Sequence, residues 1–412
     1  MSPALASLLA LLAAIAISLA SRLNVGLVAV PLAWAVGSYA GRGPADVLAG
    51  FPASLFVTLA GVTLLFALAD SNGTIGTLAA RLAALASGRS RLLPVIIFAV
   101  ACAISTCGPG AIPAVALVAP LAFAMAGPAS VPPFLTALMV ANGANAGNLS
   151  PLSAVGIIAN TRMASVGLGG QEFKVWAANF VAHVAVAAVA YAVLIRSVPA
   201  RRSAVAEPHP DLHRAEWMTI LVIGAWIAAV VALGAPIGLA AFAASALLVI
   251  AGAADDRLGL KAMPWAAIIM VCGMTMLVTA AERAGGLELF TTLLAALATP
   301  ATLNGVIAFV TGAISSASST SGVVLPTFLP TAPGLVQQVG GGDPLAVALS
   351  INVGSSLVDV SPLSTLGAIC VAAIGHPDAA RELFTKLLIW GLSMTLTGAV
   401  LCQLFAGGFA RI

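Results

Sequence analysis

Charge is what this sequence has least of. Asp, Glu, Lys and Arg together make up 8% of its 412 residues, against roughly 25% in an ordinary soluble domain. With 61% hydrophobic residues and a mean hydropathy of +1.10, no room is left for a large soluble domain. The same scarcity argues against nucleic acid as a partner: the net charge is +3, and the 17 Lys/Arg are scattered without aromatics between them. Histidine and cysteine are also thin. Of four histidines only His183 falls inside a helical run, with no metal-ligand residue at i+3 or i+4, which suits packing or an interhelical hydrogen bond. The five cysteines (Cys102, Cys107, Cys272, Cys370 and Cys402) lack CxxC spacing and read as small hydrophobes in packed helices. No His/Asp/Ser set offers a nucleophile beside a base, so neither an enzyme nor a cofactor is expected.

What stands in place of charge is a series of apolar runs, several near the roughly 20 residues needed to cross a bilayer. The first, Ala4–Ala20, has no basic residue before it and no evident cleavage site after it, and reads as a retained helix rather than a signal peptide. The expected class is an all-α polytopic membrane protein.

The runs are broken in matching places. AISTCGPGAIP at 103–113 has a counterpart in AISSASSTSGVVLP at 313–326, and SPLSAVG beginning at Ser150 returns as SPLSTLG beginning at Ser361, an offset of 211. Paired, interrupted hydrophobic segments in two halves point to the substrate site of a repeat-built transporter; a channel has no need of two pseudo-symmetric hairpins. The first repeat, 1–197, is expected to hold helices at 4–20, 25–40 and 53–70 and an interfacial segment at Thr74–Ser87. A re-entrant hairpin at 92–126 follows, then a helix over 132–163 broken between Asn145 and Ser153, and a full helix at 173–195. Residues 198–216 are expected to form a cytoplasmic linker. The second repeat, 217–412, repeats the plan with helices at 217–233, 236–252 and 264–281, an interfacial segment at 286–298, a hairpin at 302–332, a helix over 345–374 broken between Ser355 and Ser364, and a last helix at 381–406. Five crossings per repeat is odd, so the second repeat is expected to be inverted, with the site near the midplane. Charge bias agrees. With both termini outside, the inner side holds Arg22, Arg81, Arg89, Arg91, Arg196, Arg201, Arg202, Arg214, Arg257, Lys261, Arg381 and Lys386, and the outer side only Arg42, Arg162, Lys174, Arg283 and Arg411.

Polar side chains gather at the breaks. The first pair supplies Ser105, Thr106, Asn142, Asn145, Asn148, Ser150 and Ser153; the second supplies Ser315, Ser316, Ser318, Ser319, Thr320, Ser321, Asn352, Ser355, Ser356, Asp359, Ser361, Ser364 and Thr365. Gly108, Gly110, Gly143, Gly147, Gly322 and Gly354 permit close backbone approach. Pro109, Pro151 and Pro362 release carbonyls from helix bonding. Half-helix N-termini favour an anion, while hydroxyls, carbonyls and one carboxylate make an oxygen cage for a small cation. No Lys or Arg lies in either break. Asp359, whose repeat counterpart is Asn148, is the acidic residue deep within a span; it could ligate a cation, carry a proton or cap the half-helix that follows. Asp70 and Glu282 read as boundary residues at matching helix ends.

At these residues the sequence resembles the ion transporter superfamily, which includes the divalent anion–sodium symporters. CGPGAIPAVALVAP (from Cys107), GNLSPLSAVGIIAN (from Gly147) and VDVSPLSTLGAI (from Val358) are similar to MatC-type malonate/dicarboxylate carriers. The resemblance implies a homodimeric elevator in a bacterial inner membrane, in which a scaffold stays fixed while hairpins and broken helices carry a small organic anion, coupled to Na⁺ or H⁺. It places substrate contacts at Ser105, Thr106, Gly108, Asn145, Ser150, Pro151, Ser318, Ser319, Thr320, Ser356, Ser361, Pro362 and Thr365. Cation contacts fall at Asn142, Asn148, Ser153, Asn352, Ser355, Asp359 and Ser364. The chain departs from the Ser-Asn-Thr triplets of the best-known symporters, reading Ser105-Thr106-Cys107 and Ser318-Ser319-Thr320. A cation/proton antiporter on the same scaffold, exchanging at Asp359, is the alternative.

Overall fold

In a computed structural model, residues 2–21, 23–84, 90–108, 110–198, 212–316, 318–374 and 377–411 are described. Pro109, residues 85–87 at the end of the expected interfacial segment and 199–211 of the expected linker lie outside them. Among the described residues every regular element is helical, and the elements run in two parallel series. The first comprises α1 (Pro3–Ala20), α2 (Val25–Tyr39), α3 (Pro44–Leu48), α4 (Ala53–Ser71), α5 (Thr74–Ala84), α6 (Leu93–Cys107), α7 (Ala111–Ala126), α8 (Pro133–Asn148), α9 (Ala154–Ala164) and α10 (Glu172–Leu194). The second opens with α11 (Arg214–Leu233), α12 (Ile237–Ile250), α13 (Asp256–Ala262), α14 (Trp265–Ala284), α15 (Gly286–Ala295) and α16 (Leu303–Ser315). A π-helical turn (Thr320–Val324) then leads to α17 (Leu325–Phe328) and α18 (Ala332–Val339). The series closes with α19 (Pro344–Leu357), α20 (Thr365–Ala373) and α21 (Pro377–Arg411).

Among the described residues five elements are long and apolar enough to cross a membrane: 53–71, 172–194, 265–284, 344–373 and 378–411; the pair 303–315 and 320–339, bent by 120°, would be a sixth. The helices α1, α2 and α12, at 18, 15 and 14 residues, are apolar but shorter than the usual span. Two short helices, α3 and α13, were not anticipated. Pro44 opens the first, and the Asp255 side chain caps the second by accepting from the Arg257 and Leu258 N–H groups at 2.8 and 3.2 Å. Past the tip of the 302–332 hairpin the chain runs in four pieces, the π-helical turn, α17, a 3-10 turn (Leu329–Thr331) and α18, with Pro326, Pro330 and Pro333 each removing a helix donor.

Reciprocal packing ties the series together: α2 crosses α14, and α4 crosses α12. Both crossings bring backbone onto backbone. A Cβ on Gly26 would lie 2.3 Å from the Ile269 carbonyl oxygen, and one on Gly273 2.5 Å from that of Gly26. At the equivalent crossing, a Cβ on Gly61 would lie 2.4 Å from the Gly238 carbonyl oxygen, and one on Gly238 2.5 Å from Thr58 Cα. In lipid, such close approach replaces the hydrophobic drive that is missing between helices. Gly61→Leu is therefore expected to cost several-fold in the yield of monodisperse protein on size-exclusion chromatography, since rigid backbone faces the new side chain. A second group, α6, α7, α8 and α10 with α16 and α19 to α21, packs among itself around α8 and α19, while α9 lies mainly against α4 and α17. Within this group Gly143 and Gly354, again 211 apart, lie against the backbones of Phe98 and Ala308.

Candidate functional site

Both breaks are built by one device. Ser150 Oγ accepts from the Leu152 N–H at 3.2 Å while the Ser153 N–H donates to the Ser150 carbonyl at 2.9 Å. In the second repeat, Ser361 Oγ accepts from Leu363 N–H at 3.3 Å, and Ser364 N–H donates to the Ser361 carbonyl at 3.0 Å. A hydroxyl that accepts from two residues ahead builds a turn, so Ser150 and Ser361, with Pro151 and Pro362 beside them, shape the breaks. Gly156 and Gly367 let the next helix start against that turn: a Cβ would sit 1.9 Å from the Ser150 carbonyl oxygen or 2.3 Å from that of Ser361. Gly108 closes the first hairpin onto this region, its carbonyl accepting from Ala154 N–H at 3.0 Å.

Four helix starts result, at Ala111 behind Gly110 (φ 84°), at Ala154 behind Ser153, at Thr365 behind Ser364, and at Thr320 behind Ser319. Their first residues line two adjoining cavities. The larger, of 470 Å³, is bounded by Gly110, Ala111, Ala154, Ser319, Ser321 and Thr365 together with apolar walls, and falls in the usual range for ligand pockets of roughly 300–1,000 Å³. The smaller, of 30 Å³, is bounded by Asn148, Thr320, Asp359 and Ser364 and shares Ala111, Ser319, Ser321 and Thr365 with the first; that is room for a water or a small ion. Among the described residues no Lys or Arg lines either cavity. The polarity comes from helix N-termini, which attract anions, and from the groups around Asp359.

Asp359 Oδ1 accepts from Thr320 Oγ1 at 2.7 Å, Ser364 Oγ at 2.9 Å and Ser315 Oγ at 3.4 Å, and Ser315 and Thr320 are themselves in contact. The carboxylate thereby stitches the second hairpin tip to its break. In the first repeat Asn148 has that position, its Oδ1 accepting from Ala111 N–H at 2.9 Å. Two buried hydroxyls of the first half, Ser105 Oγ and Ser153 Oγ, have no hydrogen-bond partner among the described residues, and Ser153 Oγ adjoins Asn148 Oδ1 around Gly110, at 3.6 and 3.4 Å from where a Cβ there would sit. Orphaned buried polar atoms of this kind call for a ligand, ion or water.

Other expected site residues lie elsewhere. Asn142, Asn145 and Ser356 form a network with Asn179 and His183 of α10, away from both cavities, in which Asn145 Oδ1 has no hydrogen-bond partner among the described residues. Asn145 Nδ2 donates to the Ser356 carbonyl at 3.1 Å, Asn179 Nδ2 to the Asn145 carbonyl at 2.6 Å, and Ser356 Oγ to Asn179 Oδ1 at 2.6 Å. His183 Nδ1 meets Asn142 Oδ1 at 3.1 Å and its Nε2 meets Ser356 Oγ at 3.3 Å. Asn145 and Ser356 are one repeat offset, 211 residues, apart, so the two halves join at equivalent positions. Thr106, Ser355 and Asn352 bond back along their own helices, to the carbonyls of Cys102 (2.7 Å), Ile351 (2.6 Å) and Ala348 (2.9 Å). Ser318 is buried at the second tip. Sequence reasoning left His183 as a packing or hydrogen-bonding residue and overlooked Asn179; the spacing of the two, four apart on one face of an apolar helix, was the available signal.

Residues 1–148, from the N-terminus to the end of α8, match the family described as "Dicarboxylate carrier protein MatC N-terminus". This first part of the chain is similar to that family. Its overall structure is similar to that of the Alcanivorax borkumensis YdaH transporter, a protein noted for an unusual topology: the TM-score is 0.59 at 17% sequence identity, covering 88% of this chain and 87% of that one. No curated protein sequence matches the chain. The chain thus shares its overall fold with a solved transporter, and its long apolar helices mark it as a multi-pass membrane protein.

Proposed function

We propose that this protein is a secondary active carrier of small organic anions, of the malonate or succinate kind, driven by a cation gradient of Na⁺ or H⁺. The observation that carries the reading is the meeting of four helix N-termini at a 470 Å³ cavity that adjoins a 30 Å³ compartment holding Asp359. The first feature suits a carboxylate, the second a coupling cation. In the first repeat the unpartnered Ser153 hydroxyl beside Asn148 suits a second cation. The group α6 to α10 and α16 to α21 would travel as the elevator against a scaffold of α1 to α5 and α11 to α15, the second repeat inverted, both termini outside and two copies forming the working dimer. The MatC match over residues 1–148 supports the substrate class.

The test is uptake of radiolabelled malonate and succinate into proteoliposomes of the purified chain, with Na⁺ and proton gradients imposed separately. Saturable uptake driven by one gradient is expected. Absence of uptake, with cation-dependent proton movement in the same vesicles, would replace the reading with a cation/proton antiporter at Asp359.

A further inference from the structure

The larger cavity adjoins a third space. It shares Thr63, Pro113 and Pro264 with a cavity of 70 Å³ that Asp70 also lines. The α4 residues of that lining, Thr63, Phe66, Ala67 and Asp70, follow i, i+3, i+4 and i+7, a single stripe of the helix. The stripe leads from the solvent-exposed Asp70 to the larger cavity, which in turn meets the Asp359 compartment at Ser319, Ser321 and Thr365. Among the described residues Asp70 and Asp359 are the only charged groups lining the three spaces. Asp70 is poorly placed for stability. It sits in the last turn of α4, where free carbonyls already carry partial negative charge and a carboxylate is unfavourable. Its side chain has no hydrogen bond or ion pair among the described residues. Thr63 gives its hydroxyl proton to the Leu59 carbonyl at 2.7 Å, so to any ligand it can offer only lone pairs.

We propose that this stripe is the approach route of the coupling cation, with Asp70 as a transient station on the way to the Asp359 compartment. This rests on the carrier reading above. An unpaired carboxylate at the carbonyl end of a helix raises the local concentration of cations at the mouth. A cation moving inward next meets the lone pairs of Thr63 and, past the larger cavity, the carboxylate of Asp359. The organic anion has other partners in the same space. The first turn of α14, which no side chain caps, lines the larger cavity at Pro264, Ala266 and Ala267. Helix N-termini thus serve the substrate while the C-terminal end of α4 serves the cation, and the two charges share one cavity without competing for a partner.

The experiment uses the full-length chain in proteoliposomes and follows the initial rate of labelled malonate uptake against the concentration of Na⁺ and, separately, of H⁺. Asp70→Asn should raise the half-saturating concentration of the driving cation about 3- to 10-fold, the effect of one charge on a cleft's cation concentration. High cation should restore the rate, and Asp70→Lys should shift the curve further. Added choline chloride should narrow the gap between wild type and Asp70→Asn, because an attraction through space is screened by salt. Purified Asp70→Asn should unfold no earlier than wild type, since it loses an unfavourable charge and no bond. Unchanged half-saturation in both variants would overturn this inference and leave the carrier intact. A rate that stays low in a stable Asp70→Asn at every cation concentration would also overturn it, moving Asp70 from the approach route to the transport step. Absence of malonate and succinate uptake by the wild type under either gradient would remove the carrier reading and this inference with it.

Discussion

Asp359→Asn is expected to abolish gradient-driven uptake, with initial rates down on the order of 100-fold, while the protein still purifies as a folded species. The asymmetry between these effects follows from the geometry. Thr320, Ser364 and Ser315 all donate to one oxygen, Oδ1, at 2.7, 2.9 and 3.4 Å. An asparagine carbonyl oxygen can accept the same three bonds, so the hairpin tip stays tied to the break. What disappears is the negative charge beside the 30 Å³ compartment. Hydrogen bonds to a charged group contribute about 1.5–3 kcal/mol against about 1 for neutral ones, and a bound cation loses its one formal counter-charge. Uptake measured in parallel under Na⁺ and proton gradients checks the result. Wild-type ion dependence in the variant would remove Asp359 from coupling, and an unfolded variant would reassign it to structure.

The order of the longer helices was legible in the sequence to within a few residues, because apolar runs long enough to matter are bounded by Gly, Pro and polar residues that the fold uses as ends, whereas the short α3 and α13 carry no such run. The repeat offset found in SPLSAVG and SPLSTLG reappears in three-dimensional detail, down to the paired hydroxyl turns of Ser150 and Ser361. The extent of the breaks was less legible. Asn145 and Asn148 were expected in irregular backbone, yet α8 continues through Asn148. Their side chains find partners across the structure, at the Ser356 carbonyl and the Ala111 N–H, so they do not compete with the local helix as such residues otherwise do. The same long-range pairing explains why one compositional cluster separates into two places. Polarity and repeat position marked Ser356 and Asp359 alike, but only packing decides that Ser356 faces α10 and Asp359 faces a cavity.

That separation leads to the second large effect. His183→Ala is expected to destabilise the protein by about 3–5 kcal/mol, the range found when a buried ring is cut back to a methyl group. The ring is fully buried and bridges Asn142 Oδ1 of the first repeat to Ser356 Oγ of the second, at 3.1 and 3.3 Å. Removing it leaves a void and also leaves Asn142 Oδ1 without its partner; the Asn142 amide is already directed to the Leu138 carbonyl at 2.9 Å. Ser356 retains Asn179 at 2.6 Å, so the damage should concentrate on the contact between α8 and α10. His183→Gln, which can still donate to Asn142, should recover part of the loss. Thermal unfolding of both variants in one detergent, followed by intrinsic tryptophan fluorescence, provides the comparison. A midpoint for His183→Ala within a degree of wild type would mean that the two repeats are held together elsewhere, chiefly at the direct bond from Asn145 to the Ser356 carbonyl.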